Sequence, residues 1–388
     1  MVHILFLIFC LVASNISHRV EGMRPAEENL ELERQLKHIN KPPIVTINTT
    51  LGYIVDCVDI KKQPAFDHPL LKNHKLQLKP SFQNIMGKAD EKNSSAKLIG
   101  FGLEKNQCPV GTVPIRRTTK EDLIRGKSLF NYPILTTGQP GTHIAEVTYG
   151  PFGFKRFYGA SGSGSLWNPK VNHDQTSNSH MWVQNGQGDG TNKITVGWHV
   201  SPKLYGDYET HIYTTWTSDN FKRTGCYNLQ CPGFVQIDRQ LHVGIATKTS
   251  TYGGDTEELD FSLSQDPSTQ NWWVTIEHKN IGYFPAALFT NMKWVDRVGW
   301  GGTTTTPAGT PSPPMGSGHF PDRIYEHTCY FRYMSYKDES RKDYGPEENV
   351  AKSFSDKPNC FGVDYYGNKG SQVGFSVQFG GPGGLCGN

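Results

Sequence analysis

The stretch Lys193-Ile-Thr-Val-Gly-Trp-His-Val200 alternates strictly. Successive side chains of a strand point to opposite faces. Ile194, Val196, Trp198 and Val200 therefore share one face, and Lys193, Thr195, Gly197 and His199 share the other. The first set is core. The second combines a hydroxyl, a glycine and an imidazole, which suits a solvated face or the floor of a cleft.

Similar strand patterns recur on both sides of it, with turn residues between them. They fall at 181–184, 211–217, 233–237, 241–247, 272–277 and 324–336, and no long helical period interrupts them. Many short strands over about 245 residues imply an all-β sandwich of two antiparallel sheets. The counts of 41 Gly and 24 Pro agree with many turns. The Thr- and Pro-rich stretch 300–318 reads as a long surface loop.

Upstream the pattern changes. Residues 25–39 read as a helix, with acids in the first turn, an apolar stripe of Leu32, Leu36 and Ile39, and Pro42-Pro43 as the stop. Strand-like pieces follow at 44–47 and 53–60. Thr118-x-x-Glu121 looks like a capping box for a short helix that Gly126 weakens. The stretch 131–142, rich in Pro, Gly and Thr, marks a boundary. The chain thus divides into a leader over 1–22, a small mixed α/β segment over 23–135, and the sandwich over 136–388.

The leader rests on Ile4-Leu-Phe-Leu-Ile-Phe-Cys-Leu-Val-Ala13, too short to span a bilayer and suited to a signal peptide. The expectation is a secreted or vacuolar protein with no membrane anchor. Seven cysteines then remain in an oxidising compartment, where disulfides are the default. Asn48-Thr-Thr50 and Asn93-Ser-Ser95 become glycosylation acceptors. A net charge of +3 and a pI near 8.3 give no reason to expect nucleic acid. Neither HExxH nor CxxC occurs, so no metal and no cofactor is expected.

Other candidates for chemistry are weaker. Gly186-Gln-Gly-Asp-Gly190 precedes a strand rather than a helix, so it lacks a helix N-terminus for phosphate and reads as a turn. Ser161, Ser163 and Ser165 alternate with glycines without forming a G-x-S-x-G elbow. Trp272 and Trp273 should point to opposite faces, one into the core and one outward, where it could stack on a sugar. Cys226 and Cys231, with four residues between them, read as a small disulfide loop rather than a metal site.

Several long motifs resemble the neprosin family of plant secreted proteins. They are Val55-Asp-Cys-Val-Asp-Ile60, Cys108-Pro-Val-Gly-Thr-Val-Pro-Ile-Arg-Arg117, Thr224-Gly-Cys-Tyr-Asn-Leu-Gln-Cys-Pro-Gly-Phe-Val-Gln236, Gly282-Tyr-Phe-Pro285 and Met315-Gly-Ser-Gly-His-Phe-Pro321. The resemblance implies a zymogen, with an activation peptide ahead of a glutamic-peptidase sandwich. Its active members are proline-directed endopeptidases that work in acid through two facing glutamates. Such a pair shares one proton, so one carboxylate activates water while the protonated partner polarises the scissile carbonyl.

Both glutamate positions differ here. The family's Ile-Glu-Ala-Gly-Trp reads Ile194-Thr195-Val196-Gly197-Trp198, and its Trp-Gly-Gly-Glu reads Trp300-Gly301-Gly302-Thr303. A common glutamine ahead of an apolar-Trp pair is His180, before Met181-Trp182. Threonine does not ionise near working pH. The resemblance therefore implies a sandwich inactive by the glutamate mechanism, with a cleft holding His180 and Trp182 that keeps a Pro-rich peptide or a wall-associated partner. Two alternatives stand beside it. One is an acid peptidase with a changed site, built from His180 or His199 with Asp189 or Asp207. The other is a lectin-like sandwich binding glycan through its aromatics. Thr195 and Thr303 are expected to face each other across one groove. The expected disulfides are Cys57–Cys108, Cys226–Cys231 and Cys360–Cys386, with Cys329 a buried free thiol, and a monomer is expected.

Overall fold

A computed structural model of the chain describes residues 25–84, 108–130, 140–151 and 155–387. The leader run and Asn93 lie outside the described residues, as does most of the boundary stretch 131–142.

The N-terminal segment opens with helix α1, Pro25–Ile39, over the span its sequence indicates. Strands β1 (Pro43–Asn48), β2 (Ile54–Asp59) and β3 (Thr112–Arg116) form a small antiparallel sheet in the order β1-β2-β3. The Cys57–Cys108 disulfide fastens it beneath Val55. Helix α2, Lys120–Phe130, follows. Its capping box lies one residue beyond the expected pair. The Asp122 amide donates to Thr119 Oγ1 (3.1 Å) while the Thr119 amide donates to Asp122 Oδ2 (2.8 Å). Asp serves here in place of Glu because it sits at the third helical position from Thr119.

The rest is a sandwich of two antiparallel sheets. One sheet runs β17 (Lys352–Ser355), β4 (Thr142–Tyr149), β14 (Arg297–Thr305), β6 (Thr176–Asn185), β7 (Asn192–Val200), β8 (Thr210–Thr217) and β9 (Cys226–Tyr227). The second runs β10 (Val235–Gln236), β13 (Lys279–Phe284), β12 (Trp272–Ile276), β11 (Glu258–Gln265), β5 (Gly159–Ser165), β15 (Cys329–Lys337), β19 (Phe375–Gly380) and β18 (Gly362–Asn368). Strand β16 (Asp343–Tyr344) adds to the end of β15. Helix α3, Pro202–Tyr205, is a single turn after β7.

The apolar face of β7 is realised: Ile194, Val196, Trp198 and Val200 are all 0% exposed and enter the core between the sheets, whereas the polar face is not solvated, Thr195 being 6% and His199 2% exposed under their own neighbours. Trp198 Nε1 donates to the Ser165 carbonyl (2.8 Å), and Trp300 Nε1 to the Ser161 carbonyl (3.1 Å). The two indoles thus bridge to β5 of the facing sheet. β5 presents glycine inward because a Cβ on Gly164 would lie 2.7 Å from the Phe331 ring.

Three expectations need correction. The segment 300–318 is not all loop, because its first residues complete β14, a central strand with Trp300 fully buried. Its glycines and threonines mimic loop composition but serve close strand packing. The segment 241–247 alternates like a strand yet forms only the bridge His211–Ala246. Trp272 and Trp273 are both 0% exposed. Trp272 faces the inter-sheet core, while Trp273 faces outward and is covered by Ala65 and Phe66 of the N-terminal segment. The disulfides Cys226–Cys231 and Cys360–Cys386 are present, and Cys329 is a buried free thiol. Asn48 is exposed at the end of β1.

Candidate functional site: the outer face of the β14-β6-β7 sheet

The polar side of β7 shares its face with alternate residues of its neighbours, because Cα partners across an antiparallel pair point the same way. Glu146 of β4, Gly301 of β14, His180 of β6, Gly197 of β7 and Tyr213 of β8 are successive partners across five strands. Every second member is glycine. A Cβ on Gly301 would lie 2.4 Å from Glu146 Cα, and one on Gly197 would lie 2.0 Å from the Ser179 carbonyl oxygen. The larger side chains close over these gaps. His180 Nε2 lies 3.9 Å from Glu146 Oε2, and His180 Nδ1 lies 3.0 Å from the Tyr213 hydroxyl.

Trp182 Nε1 donates to Glu146 Oε2 (2.9 Å), and Lys193 Nζ sits 4.3 Å from the Trp182 ring centre. These contacts set the protonation. Burial acts to raise the Glu146 carboxyl, but the His180 imidazole, the Lys193 ammonium and the Trp182 donor together hold it below the ordinary carboxylate range. Burial, helped by Lys193, pushes His180 below the usual imidazole range. Both groups of this pair are thus shifted below their ordinary ranges, the carboxyl by its donors and the imidazole by burial.

A second cluster adjoins it. His199 stacks on Tyr213 (centroids 4.2 Å apart) and meets the Tyr205 hydroxyl at 2.7 Å. Tyr205 stacks on His211, whose Nε2 lies 2.8 Å from Asp207 Oδ1. Burial drives His199 well below the imidazole range. Arg116 of β3 reaches this cluster from the N-terminal segment. Its Nη2 donates to the Tyr205 carbonyl (2.9 Å), and its guanidinium lies over the rings of Tyr205 and Tyr53.

Thr195 partners Trp182, and Thr303 partners Asn178, so both lie on the face of His180. They do not stand opposite one another. They are two strands apart and four residues out of step, about 16 Å between Cα atoms at ordinary strand spacing. His180 falls midway, two residues from each partner on β6. Threonine side chains are too short to meet across that distance. Of the carboxylates weighed as replacements, neither joins His180. Asp189 is an exposed turn residue paired with Lys222, and Asp207 belongs to His211. The carboxylate that does meet His180 is Glu146, which sequence reasoning passed over. Its signal was an acid alone on the outer side of a strand whose inner side reads His143, Ala145, Val147, Tyr149.

The two packed antiparallel sheets define a β-sandwich. The chain belongs to the neprosin family: the neprosin family model matches residues 173–382, and the neprosin activation peptide model matches residues 46–140. Among solved structures, it is similar to Scytalido-glutamic peptidase with a peptide-based transition state analog, at 8% identity and a TM-score of 0.33, covering 62% of this chain and 98% of that one. It is also similar to SCP-B, a member of the Eqolisin family of peptidases, at 11% identity and a TM-score of 0.32, with the same coverage. No helix among the described residues is long and apolar enough to cross a membrane.

Proposed function

We propose that this protein is secreted or vacuolar, and that its face around His180 binds a peptide without cutting it through a glutamate pair. The observation that carries this reading is the make-up of the face, where a single carboxylate, Glu146, is held by Trp182 and His180 with no second carboxyl beside it among the described residues. Thr195 and Thr303 supply no carboxyl, and Glu146 is held ionised by His180, Trp182 and Lys193. A lone, pinned carboxylate does not share a proton with a partner, and that shared proton is what the family's acid mechanism needs. Trp182 and Tyr213, each 3% exposed, and the half-buried Tyr227 beside Tyr213 make the face aromatic, and a proline-rich segment in its extended, pre-ordered form docks on aromatic surfaces. On this reading a leader over 1–22 is removed, Asn48 and Asn93 carry glycans, and the activation part spans 23–135 ahead of a sandwich over 136–388. The test is incubation of the purified chain with proline-containing peptides at pH 3–7, followed by mass spectrometry and binding titration. Binding without hydrolysis is expected, and hydrolysis of a bound peptide would sink the proposal.

A second reading is favoured by one contact. Glu146 beside His180 is a base–acid combination that could activate water if the imidazole were protonated in acid. On that reading the wild-type chain cuts, and Glu146→Gln abolishes cutting.

A further inference from the structure

The opposite side of the molecule carries an open groove, and we propose that it binds a neutral oligosaccharide. It lies on the outer face of the second sheet, over β5, β11, β12 and β15, with a volume of about 480 Å³, within the ordinary range of small-ligand sites.

Its floor is built from the serines that alternate with glycines in β5. The glycines face inward against Trp300 and Phe331, so Ser161 and Ser163 face outward. The strand register extends this into a row of hydroxyls: Ser335, Ser161, Ser262 and Thr275 are successive partners across four strands. Ser161 and Ser335 are hydrogen-bonded at 2.7 Å.

The charged groups of the groove are answered within it. Glu258 accepts from Arg332 and from the Tyr330 hydroxyl (3.0 Å). Asp260 accepts from Ser163, and its other oxygen lies 3.4 Å from His278 Nε2. Lys337 pairs with Asp343 at 2.7 Å. A charged ligand therefore meets little uncompensated field. A polyhydroxyl ligand meets what it needs, because each sugar hydroxyl both donates and accepts and the floor offers hydroxyls and carboxylate oxygens side by side.

The rim supplies a flat apolar element. Tyr333 is 43% exposed and sits in a bulge of β15 between Arg332 and Ser335, at φ 51°. That left-handed conformation is unfavourable for tyrosine. Val373 holds it through a backbone hydrogen bond (2.9 Å), and the Arg332 guanidinium lies 5.2 Å from the ring centre. A bulge that re-aims an aromatic ring beside a polar groove is the arrangement that stacks on the apolar face of a sugar. This proposal is independent of the peptide reading, since it uses none of the residues around His180.

The test titrates the full chain with linear tetrasaccharides of glucose, mannose, xylose and galactose, followed by calorimetry, with a polygalacturonate oligomer and a proline-rich peptide as comparison ligands. Saturable binding of at least one neutral sugar is expected. Tyr333→Gly should weaken it at least tenfold, and because glycine accepts φ 51° its melting temperature should hold or rise. Ser262→Lys, which fills the groove from a half-exposed floor position, should weaken binding similarly and serves if the first variant does not fold. Absence of saturable binding by every neutral sugar would overturn the proposal. So would equal binding by both variants, or preference for the acidic oligomer or the peptide at this groove.

Discussion

Glu146 and His180 meet across Gly301, where an added Cβ would lie 2.4 Å from Glu146 Cα and from the Ala145 carbonyl oxygen. They come from β4 and β6, strands that flank β14 without touching one another in the sheet. Gly301→Ala should therefore displace Glu146 and, through it, the contact with His180. Its Cβ would overlap the Glu146 backbone, and overpacking of this kind costs about 1–3 kcal/mol. A denaturant titration should show that loss, and one of less than about 0.5 kcal/mol would mean the two side chains do not close over the glycine.

Glu146→Gln should be destabilising at neutral pH, by roughly 1–3 kcal/mol, because Lys193 and Trp182 lose a charged partner. The folded-state pKa of Glu146 is depressed. Its contribution is thus present above the unfolded carboxyl value of about 4.3 and is lost as pH falls through the lower folded value. Melting curves of wild type and variant should be well separated at pH 7 and converge toward pH 3. A constant gap would show that the charge is not what matters.

His242 adds acid sensitivity of the same direction, from a base rather than an acid. Buried and 1% exposed, its imidazole is pushed down to about 4. Burial is the main cause, and Arg116 adds to it. The unfolded imidazole titrates near 6.5, so stability is complete above that pH and declines as pH falls toward 4, by an amount on the order of 3 kcal/mol. His242→Gln should flatten the decline between pH 6.5 and 4. Its ring meets Tyr53 edge-on, so protonation should also loosen the N-terminal segment, visible as faster amide exchange in β2 than in β7.

Restoring the family's acids tests the inactive reading. Thr195→Glu with Thr303→Glu places two longer side chains on either side of position 180. His180, protonated in acid, would hold both carboxyls ionised. Adding His180→Gln should remove that cation, so the triple variant should cleave a proline-containing peptide near pH 4 faster than the double. Each single glutamate should do little, because groups that act as a unit are not additive. Equal cleavage by wild type would end the inactive reading.

Local patterns carried the fold a long way. β7 was readable because its two faces are chemically distinct, and α1 because proline punctuates both ends. The disulfide partners agree with the expected pairing. Tertiary effects were not readable. Trp300-Gly-Gly-Thr looks like loop because its glycines answer neighbours on β4 and β6 that lie far away in sequence. One of Trp272 and Trp273 was expected at the surface, and Trp273 is covered instead because residues two hundred positions earlier lie on top of it, which nothing near it in sequence says. Glu146 was missed for the same reason, since its partners come from other strands. Thr195 and Thr303 were assigned to the right face, but the diagonal between them needed the strand register.

The covering of Trp273 has a topological consequence. Ala65 and Phe66 lie inside the loop closed by Cys57 and Cys108, and so do Gln77 and Ser81, which bind Asp266. A protease that clips between residues 58 and 107 makes two chains but frees neither, because the sulfur bridge still joins them. The cover can depart as one piece only after a cut beyond Cys108. When it does, Trp273, Tyr283 and Val235 become wet together, turning a sealed flank of the sandwich into an adhesive one in a single step.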